Sequence, residues 1–313
     1  MKEELFVSGR HLHHIDPNLE LWGFPIAFYL FLGGLAAGIL FFASIAVLLD
    51  KEDELPATVK WAPMITPILL SVGLLALIID LHNPLYAWQL YLTIRLESPM
   101  SWGAWVLMVV TPLSFLWAFA DLRKLIPKLD WKFKWIYKLE FFVRDNRKTI
   151  AWILIPLCII LGIYTGILLA AFNARPLWNT TVLGPLFLIS GLSTAAAAIM
   201  LFAKSHFERE LFSKIDILLI LIEIGLVVHL IMGYYSGTEM QVEAVSILIN
   251  GELSTMFFVF FVFLGLIVPL VMEVFELLGT KIPVFIPAIL ILIGGLIFRM
   301  LMVDAGQLSR ILY

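Results

Sequence analysis

Eight stretches of the chain are each apolar enough, over roughly 20 residues, to cross a bilayer as a helix. They cover 21–49, 61–79, 99–120, 149–172, 178–203, 215–233, 255–272 and 282–298. Glu223 and His229 interrupt the sixth without abolishing it, and the eighth can continue past Arg299. Composition agrees. Of 313 residues, 61% are hydrophobic and 14% charged, against about 25% charged in an average soluble domain. A water-soluble enzyme of this length lacks the polar exterior it needs, and a disordered chain lacks the polarity. The pattern predicts an all-α integral membrane protein with eight transmembrane helices.

Simple counts exclude several chemistries. Cys158 is the single cysteine, so the chain predicts no intrachain disulfide, zinc site or iron–sulfur cluster of its own. A net charge of −3 gives no reason to expect nucleic acid. Residues 1–20 contain no apolar core, so no cleavable signal peptide is expected there.

Basic residues orient the spans. The termini and the even-numbered loops hold five Lys and Arg residues, Arg95 and Arg175 among them. The odd-numbered loops hold fifteen, nine of them between Arg123 and Lys148. The odd loops are therefore expected in the cytoplasm and both termini outside. The basic third loop divides the chain into 1–121 with spans one to three, 122–148, and 149–313 with spans four to eight. Within it Trp131, Trp135, Leu139 and Phe142 recur at helical spacing, with Lys132, Lys134 and Lys138 between them. That pattern predicts an amphipathic helix on the anionic inner leaflet. Small residues mark helix contacts: Gly34 and Gly38, Gly162 and Gly166, and the run from Ser190 to Ala198.

A charge at membrane depth costs about 2.5–3.5 kcal/mol or more, so each one asks for a reason. In the predicted topology Tyr29, Asp80, His82, Tyr164, Arg175, His229, Tyr234, Tyr235, Arg299 and Asp304 gather toward the outer side. Glu223 lies near mid-depth, and Glu273 and Glu276 lie one helical step apart at the inner end of span seven. Tyr234, Tyr235 and Arg175 also suit interfacial anchoring. Asp80, Tyr164 and Glu223 read more readily as functional. The six histidines, His11, His13, His14, His82, His206 and His229, offer no pair on facing helices at membrane depth, so no haem is expected.

Five segments carry a resemblance. They are Tyr29-Leu-Phe-Leu-Gly-Gly-Leu-Ala-Ala-Gly38, Asp80-Leu-His-Asn-Pro84, Ser98-Pro-Met-Ser-Trp-Gly-Ala-Trp105, Tyr164-Thr-Gly-Ile-Leu-Leu-Ala-Ala-Phe-Asn-Ala-Arg-Pro-Leu-Trp-Asn179 and Leu186-Phe-Leu-Ile-Ser-Gly-Leu-Ser-Thr194. Their order and spacing resemble the NrfD/PsrC family, the haem-free membrane subunits of polysulfide-reductase-like complexes. The resemblance is specific over roughly 22–203 and thins beyond. It implies eight spans in two four-helix bundles, in a bacterial or archaeal cytoplasmic membrane. It implies a quinone of menaquinone or ubiquinone type near the outer face. It also implies docking there onto a ferredoxin-like iron–sulfur subunit that wires the chain to a molybdopterin catalytic subunit. The family's quinone-contacting tyrosine falls on Tyr164 and its acid closing span two falls on Asp80. Its span-one polar position falls on Tyr29, where the polysulfide reductase type carries His, and the Asn one turn earlier falls on Ile26.

The residue chemistry fits that expectation. A tyrosine hydroxyl can donate to a quinone carbonyl, and a nearby carboxylate can take a proton as general base. Tyr164 and Asp80 are thus the expected catalytic pair. Tyr29, His82, Tyr164, Arg175 and Trp178 are the expected cofactor contacts, with Arg175 a cation at the mouth of a face running Tyr164, Leu168, Ala171, Arg175. A secondary transporter or ion-translocating protein is the alternative, favoured by Glu223 and the span prolines. It also predicts inverted repeats with broken helices at the midplane, whereas the polar groups here cluster to one side.

Overall fold

The computed structural model describes residues 22–81, 83–125 and 133–309. The 1–20 segment, His82, Trp131 and Lys132 lie outside the described residues. Ten helices organise what is described: α1 (Phe24–Leu48), α2 (Ala57–Asp80), α3 (Pro99–Leu125), α4 (Lys134–Asp145), α5 (Arg147–Ala170), α6 (Leu183–Phe202), α7 (His206–Tyr235), α8 (Glu239–Ile249), α9 (Met256–Leu277) and α10 (Phe285–Leu308). A short turn, Gln89–Leu92, lies in the loop between α2 and α3. Eight of the ten, all but α4 and α8, are long and apolar enough to span a membrane. Each coincides with one of the eight predicted stretches.

The exterior is apolar and the interior holds the charge, the inverse of a soluble protein. Ile68, Leu75, Phe115, Trp152, Leu218 and Phe258 face outward, while Asp216, Glu223, Glu273 and Arg299 are buried. In lipid, apolar side chains need no covering and polar ones must find partners inside.

The helices meet where side chains are small. Helix α1 packs against α2, α5, α6 and α10; α6 also packs against α5, α7 and α10, and α9 lies on α10. Gly38 shows why: a Cβ there would come within 2.5 Å of Ala195 Cβ and 2.7 Å of the Gly191 carbonyl, both on α6. Backbone-to-backbone approach of this kind supplies much of the association energy of helices in lipid.

The two boundaries that differ most from the sequence expectation each accommodate a charge internally. Helix α7 begins at His206, well before position 215. Glu208 in its first turn is fully buried and accepts from Ala57 N (3.2 Å), Thr58 N (2.8 Å) and Thr58 Oγ1 (2.8 Å). It thereby satisfies donors that the first turn of α2 leaves without intrahelical partners. Helix α10 runs on to Leu308, so Arg299 sits within the helix rather than at its end.

Ion pairs concentrate at the end of the molecule that carries the basic loops. Arg147 pairs with Asp121 and with Glu52 (3.2 Å), and Lys148 pairs with Asp50 (2.6 Å). Glu140 on α4 holds Arg123 (2.7 Å) and Arg144 (2.9 Å). The expected amphipathic helix is α4, but its stripe is split. Leu139 packs toward the core, whereas Trp135 and Phe142 remain 63% and 64% exposed. The opposite end carries both ends of the described chain. There Trp22 N donates to Gln307 Oε1 at 2.7 Å, and Gln307 Nε2 donates to the Trp22 carbonyl at 2.5 Å.

Candidate functional site

Two tyrosines from different helices meet at one depth. Tyr29 lies five residues into α1, about 7.5 Å below its first residue, and Tyr164 lies six residues before the end of α5, about 9 Å below its last. Both descend from the end where Trp22 meets Gln307. The two phenols lie close enough to interact electrostatically. Tyr29 is 3% exposed and Tyr164 6% exposed. Gly103 on α3 makes room for the pair, since a Cβ at that position would fall on the Tyr164 ring.

Tyr164 also lines a cleft of about 360 Å³ between α3 and α5, together with Leu96, Glu97, Pro99, Trp102, Ile160, Ile163 and Ile167. That volume lies within the range of roughly 300–1,000 Å³ typical of small-molecule sites. Its lining residues are apolar apart from Tyr164, Glu97 and the indole of Trp102, whose Nε1 donates to the Leu96 carbonyl at 2.8 Å. Two phenols contain two O–H protons, and a hydrogen bond between them would use one. With Tyr29 donating to Tyr164, the Tyr164 proton is left to point at an acceptor in the cleft.

Above the pair lies the loop between α2 and α3. A second cleft of about 400 Å³, lined by Asn83, Tyr86, Gln89, Thr93, Arg95 and Ser98 among others, sits in this loop. Tyr91 from its short helical turn interacts electrostatically with both Tyr29 and Tyr164. It is half-buried, and burial pushes its hydroxyl above the usual tyrosine range. Sequence reading misses Tyr91 and Glu97. Both lie between the matched segments, in a loop with no helical period, so no register points them inward.

The remaining candidates stand elsewhere. Asp80 is the last residue of α2 and does not line the Tyr164 cleft. His82 lies outside the described residues. Arg175 does not line the Tyr164 cleft. Helix α5 ends at Ala170, so the helical register that placed Arg175 above Tyr164 stops short of it. Its guanidinium donates instead to the carbonyls of Gln307 (2.6 Å) and Ser309 (2.7 Å) at the end of α10. Trp178 donates through Nε1 to the Met302 carbonyl (2.7 Å) and packs against Trp22 and Phe172 at 5.4 and 5.7 Å between ring centres. Tyr234 donates to the Leu177 carbonyl. These three tie the loop after α5 to α7 and α10.

This geometry sits in a protein whose relatives are recognisable. The family model described as "Polysulphide reductase, NrfD" matches residues 13–310. The chain belongs to that family. The C subunit of polysulfide reductase from Wolinella succinogenes is 30% identical to it over 303 residues, covering 93% of this sequence and 95% of its own length. Protein NrfD of Escherichia coli is 30% identical over 311 residues, covering 92% and 96%. The NrfD homolog of Haemophilus influenzae is 29% identical over 313 residues, covering 94% and 96%. The match runs across all eight spans, well past the segments whose motifs carry the resemblance. The protein is therefore a multi-pass membrane subunit of the NrfD type.

Proposed function

We propose that this protein is the quinone-reactive membrane subunit of a multisubunit oxidoreductase in a bacterial or archaeal cytoplasmic membrane. The observation that carries the proposal is the Tyr29–Tyr164 pair opening on an apolar cleft at the side of the helix bundle. Ile160, Ile167 and Trp102 are exposed at that side, so an isoprenoid tail could leave the cleft into lipid while a headgroup meets the phenol. A bound quinol supplies two electrons and must release two protons. Tyr164 orients a quinone oxygen by donating to it, Tyr29 fixes the direction of that donation, and Glu97 is the carboxylate positioned to take a proton and pass it to water. The quinone is of menaquinone or ubiquinone type, and the subunit carries neither haem nor cluster.

Electrons then need an exit. The polysulfide reductase relative, itself one lettered subunit of its enzyme by name, supports a role as one subunit among several. The partners in this reading are a ferredoxin-like iron–sulfur subunit and a molybdopterin catalytic subunit. The loop between α2 and α3 supports that docking. It exposes Leu85, Tyr86, Trp88, Leu92 and Ile94 beyond the ends of the spans, where apolar side chains gain by being covered. The excess of basic residues in the odd loops supports an orientation with this face outside the cytoplasm. A periplasm-dependent reporter fused after Tyr313 is then active. A silent fusion there, with activity from an insertion near Lys138, overturns the orientation.

Tyr164→Phe tests the site. It keeps the ring and removes one hydrogen bond, worth about 0.5–1.5 kcal/mol. Quinone-linked turnover should fall up to about tenfold, roughly 1.4 kcal/mol being a factor of ten. The complex's activity with a soluble dye that bypasses the membrane should stay intact. Equal loss of both would make Tyr164 an assembly residue.

A further inference from the structure

The aromatic and basic stretch after α3 has no part in the tyrosine cleft. It folds as α4, and one side of that helix is fastened down. Glu140 and Val143 are buried, at 1% and 2% exposed. Glu140 holds Arg123 of α3 (2.7 Å) and Arg144 (2.9 Å). Arg144 Nη2 also donates to the Ala120 carbonyl of α3 at 3.0 Å, and the Arg123 guanidinium lies 4.7 Å from the centre of the Tyr137 ring. Helix α4 is thereby fixed to α3 independently of what meets its other side.

That other side is uncovered. Trp135, Lys138 and Phe142 stand at i, i+3 and i+7 along one edge, and Lys134, Lys138 and Phe141 at i, i+4 and i+7 along the other. The three aromatics, with Phe133 just ahead of them, are between 61% and 64% exposed. Lys134 and Lys138 are exposed too, and neither has an ion-pair partner among the described residues. Arg123 and Arg144 share the single carboxylate of Glu140, which leaves surplus positive charge beside the lysines. Asp145, in the last turn, is the exposed acid of α4.

Depth decides what this face meets. Helix α4 ends at Asp145 and α5 begins at Arg147, so no linker separates α4 from a spanning helix. Trp152 of α5, five residues on and about 7.5 Å further along the helix, is 68% exposed and lies where the lipid-facing surface of that span begins. The face of α4 is therefore held at headgroup level. Aromatic rings settle there between water and hydrocarbon, and lysines reach from it toward phosphate. A water-soluble protein could cover the same rings only by displacing the bilayer surface from a helix joined directly to a span.

We propose that α4 is a fixed platform for anionic phospholipids in the leaflet at the end that carries the basic loops. Lys134 and Lys138 draw the headgroup phosphates, and Trp135, Phe141 and Phe142 rest between headgroups and acyl chains. A free amphipathic segment must order itself as it meets a bilayer. The clamp at Glu140 supplies that order in advance, so the face selects lipid by charge. The platform needs no ligand in the Tyr164 cleft.

The test uses the full-length protein in vesicles of phosphatidylcholine and phosphatidylglycerol. A fluorophore is attached at Phe142→Cys; the native Cys158 is 1% exposed and stays unlabelled. Quenching by lipids with brominated acyl chains reports which lipid touches that position. Brominated phosphatidylglycerol should quench more strongly than brominated phosphatidylcholine at equal mole fraction. Replacing both lysines, Lys134→Gln with Lys138→Gln, should reduce the preference by up to about thirtyfold, about fivefold for each lysine at an anionic surface. Both lysines are exposed, so the fold should survive their loss, and the fluorophore at Trp135→Cys reads the same edge if Phe142→Cys fails to fold. Equal quenching by the two lipids, or a preference unchanged without the lysines, overturns the platform. So does the absence of quenching by either lipid, which would leave the face in water as a seat for a soluble protein.

Discussion

The two polar regions inside the membrane span are built on opposite terms. In the first, Tyr29 and Tyr164 are neutral, lie within about 9 Å of the helix ends and open on an apolar cleft. In the second, Asp216, Glu223, Glu273 and Arg299 are ionisable, fully enclosed, and set between α6, α7, α9 and α10. A hydroxyl pair satisfies itself with one hydrogen bond and leaves a proton to offer. A buried arginine must be matched by a carboxylate, a hydroxyl and carbonyls, and the match becomes part of the fold. The tyrosine cleft is therefore expected to be replaceable without unfolding, and the charged region is not.

The largest effect should come from breaking the charged region at its cation. Arg299→Met removes the hydrogen bonds to Ser190, Gly295 and Phe187 and the buried cation that interacts electrostatically with Glu223. Removing one member of a buried pair costs about 3–5 kcal/mol. The detergent-purified protein should lose its cooperative thermal transition or show it at a much lower temperature. Arg299→Lys should recover little, because an ammonium cannot reach Ser190 and the Phe187 and Gly295 carbonyls in one planar fork. Under the same assay Tyr164→Phe should be indistinguishable from the parent. A comparable loss in both variants would erase the contrast between the regions.

The second effect sharpens the cleft. Gly103→Val places side-chain atoms where the Tyr164 ring now lies. Overpacking of this kind costs roughly 1–3 kcal/mol, so the protein should fold. The ring must move, and quinone-linked turnover should fall further than in Tyr164→Phe, with the dye-coupled activity retained. Turnover equal to the parent's would show that the pair is not where substrate binds.

The same contrast separates what is legible in the sequence from what is not. The eight spans are legible, because an apolar run of about 20 residues has few other outcomes. Tyr164 and Tyr29 are legible because a phenol stands out within such a run. Asp216 escapes notice, because 206–214 looks like a polar loop and nothing local shows Ser193 and Glu273 converging on it. Arg299 reads as a helix-end residue for the same reason: its partners beyond its own helix, Ser190 and Phe187, come from α6, far away in sequence. Arg175 and Trp178 stand out by motif, and the motif carries no information about whether their donors face a ligand or the carbonyls of α10. Local pattern reports where the backbone crosses the membrane, and tertiary pairing decides which polar groups are free to act.

A smaller effect separates the two carboxylates near the cleft. Glu97 lines it and Asp80 does not. Glu97→Gln should lower quinone-linked turnover by about tenfold, less than a buried general base contributes because water can substitute for an exposed one. Asp80→Asn should change it less. The reverse order would place the proton acceptor at the end of α2 and move the headgroup toward the loop cleft.

The smallest effect concerns Tyr91, and it isolates the pH dependence. Burial raises its hydroxyl above the ordinary tyrosine range, near pH 10. For an acid bound more tightly in the folded state, the sign is fixed. Its protonated form stabilises the fold below the unfolded value, and that contribution is lost as pH rises through the folded one. Tyr91 therefore stays neutral from about pH 6 to pH 9 and contributes no titration there. Tyr91→Phe should lower turnover modestly and by the same factor at every pH in that window. The measurement is the ratio of variant to parent turnover across pH. A ratio for Tyr91→Phe that drifts with pH below about 9 would show that the loop tyrosine exchanges a proton during turnover, and the cleft's acid–base work would then extend upward from the α1–α5 pair into the loop.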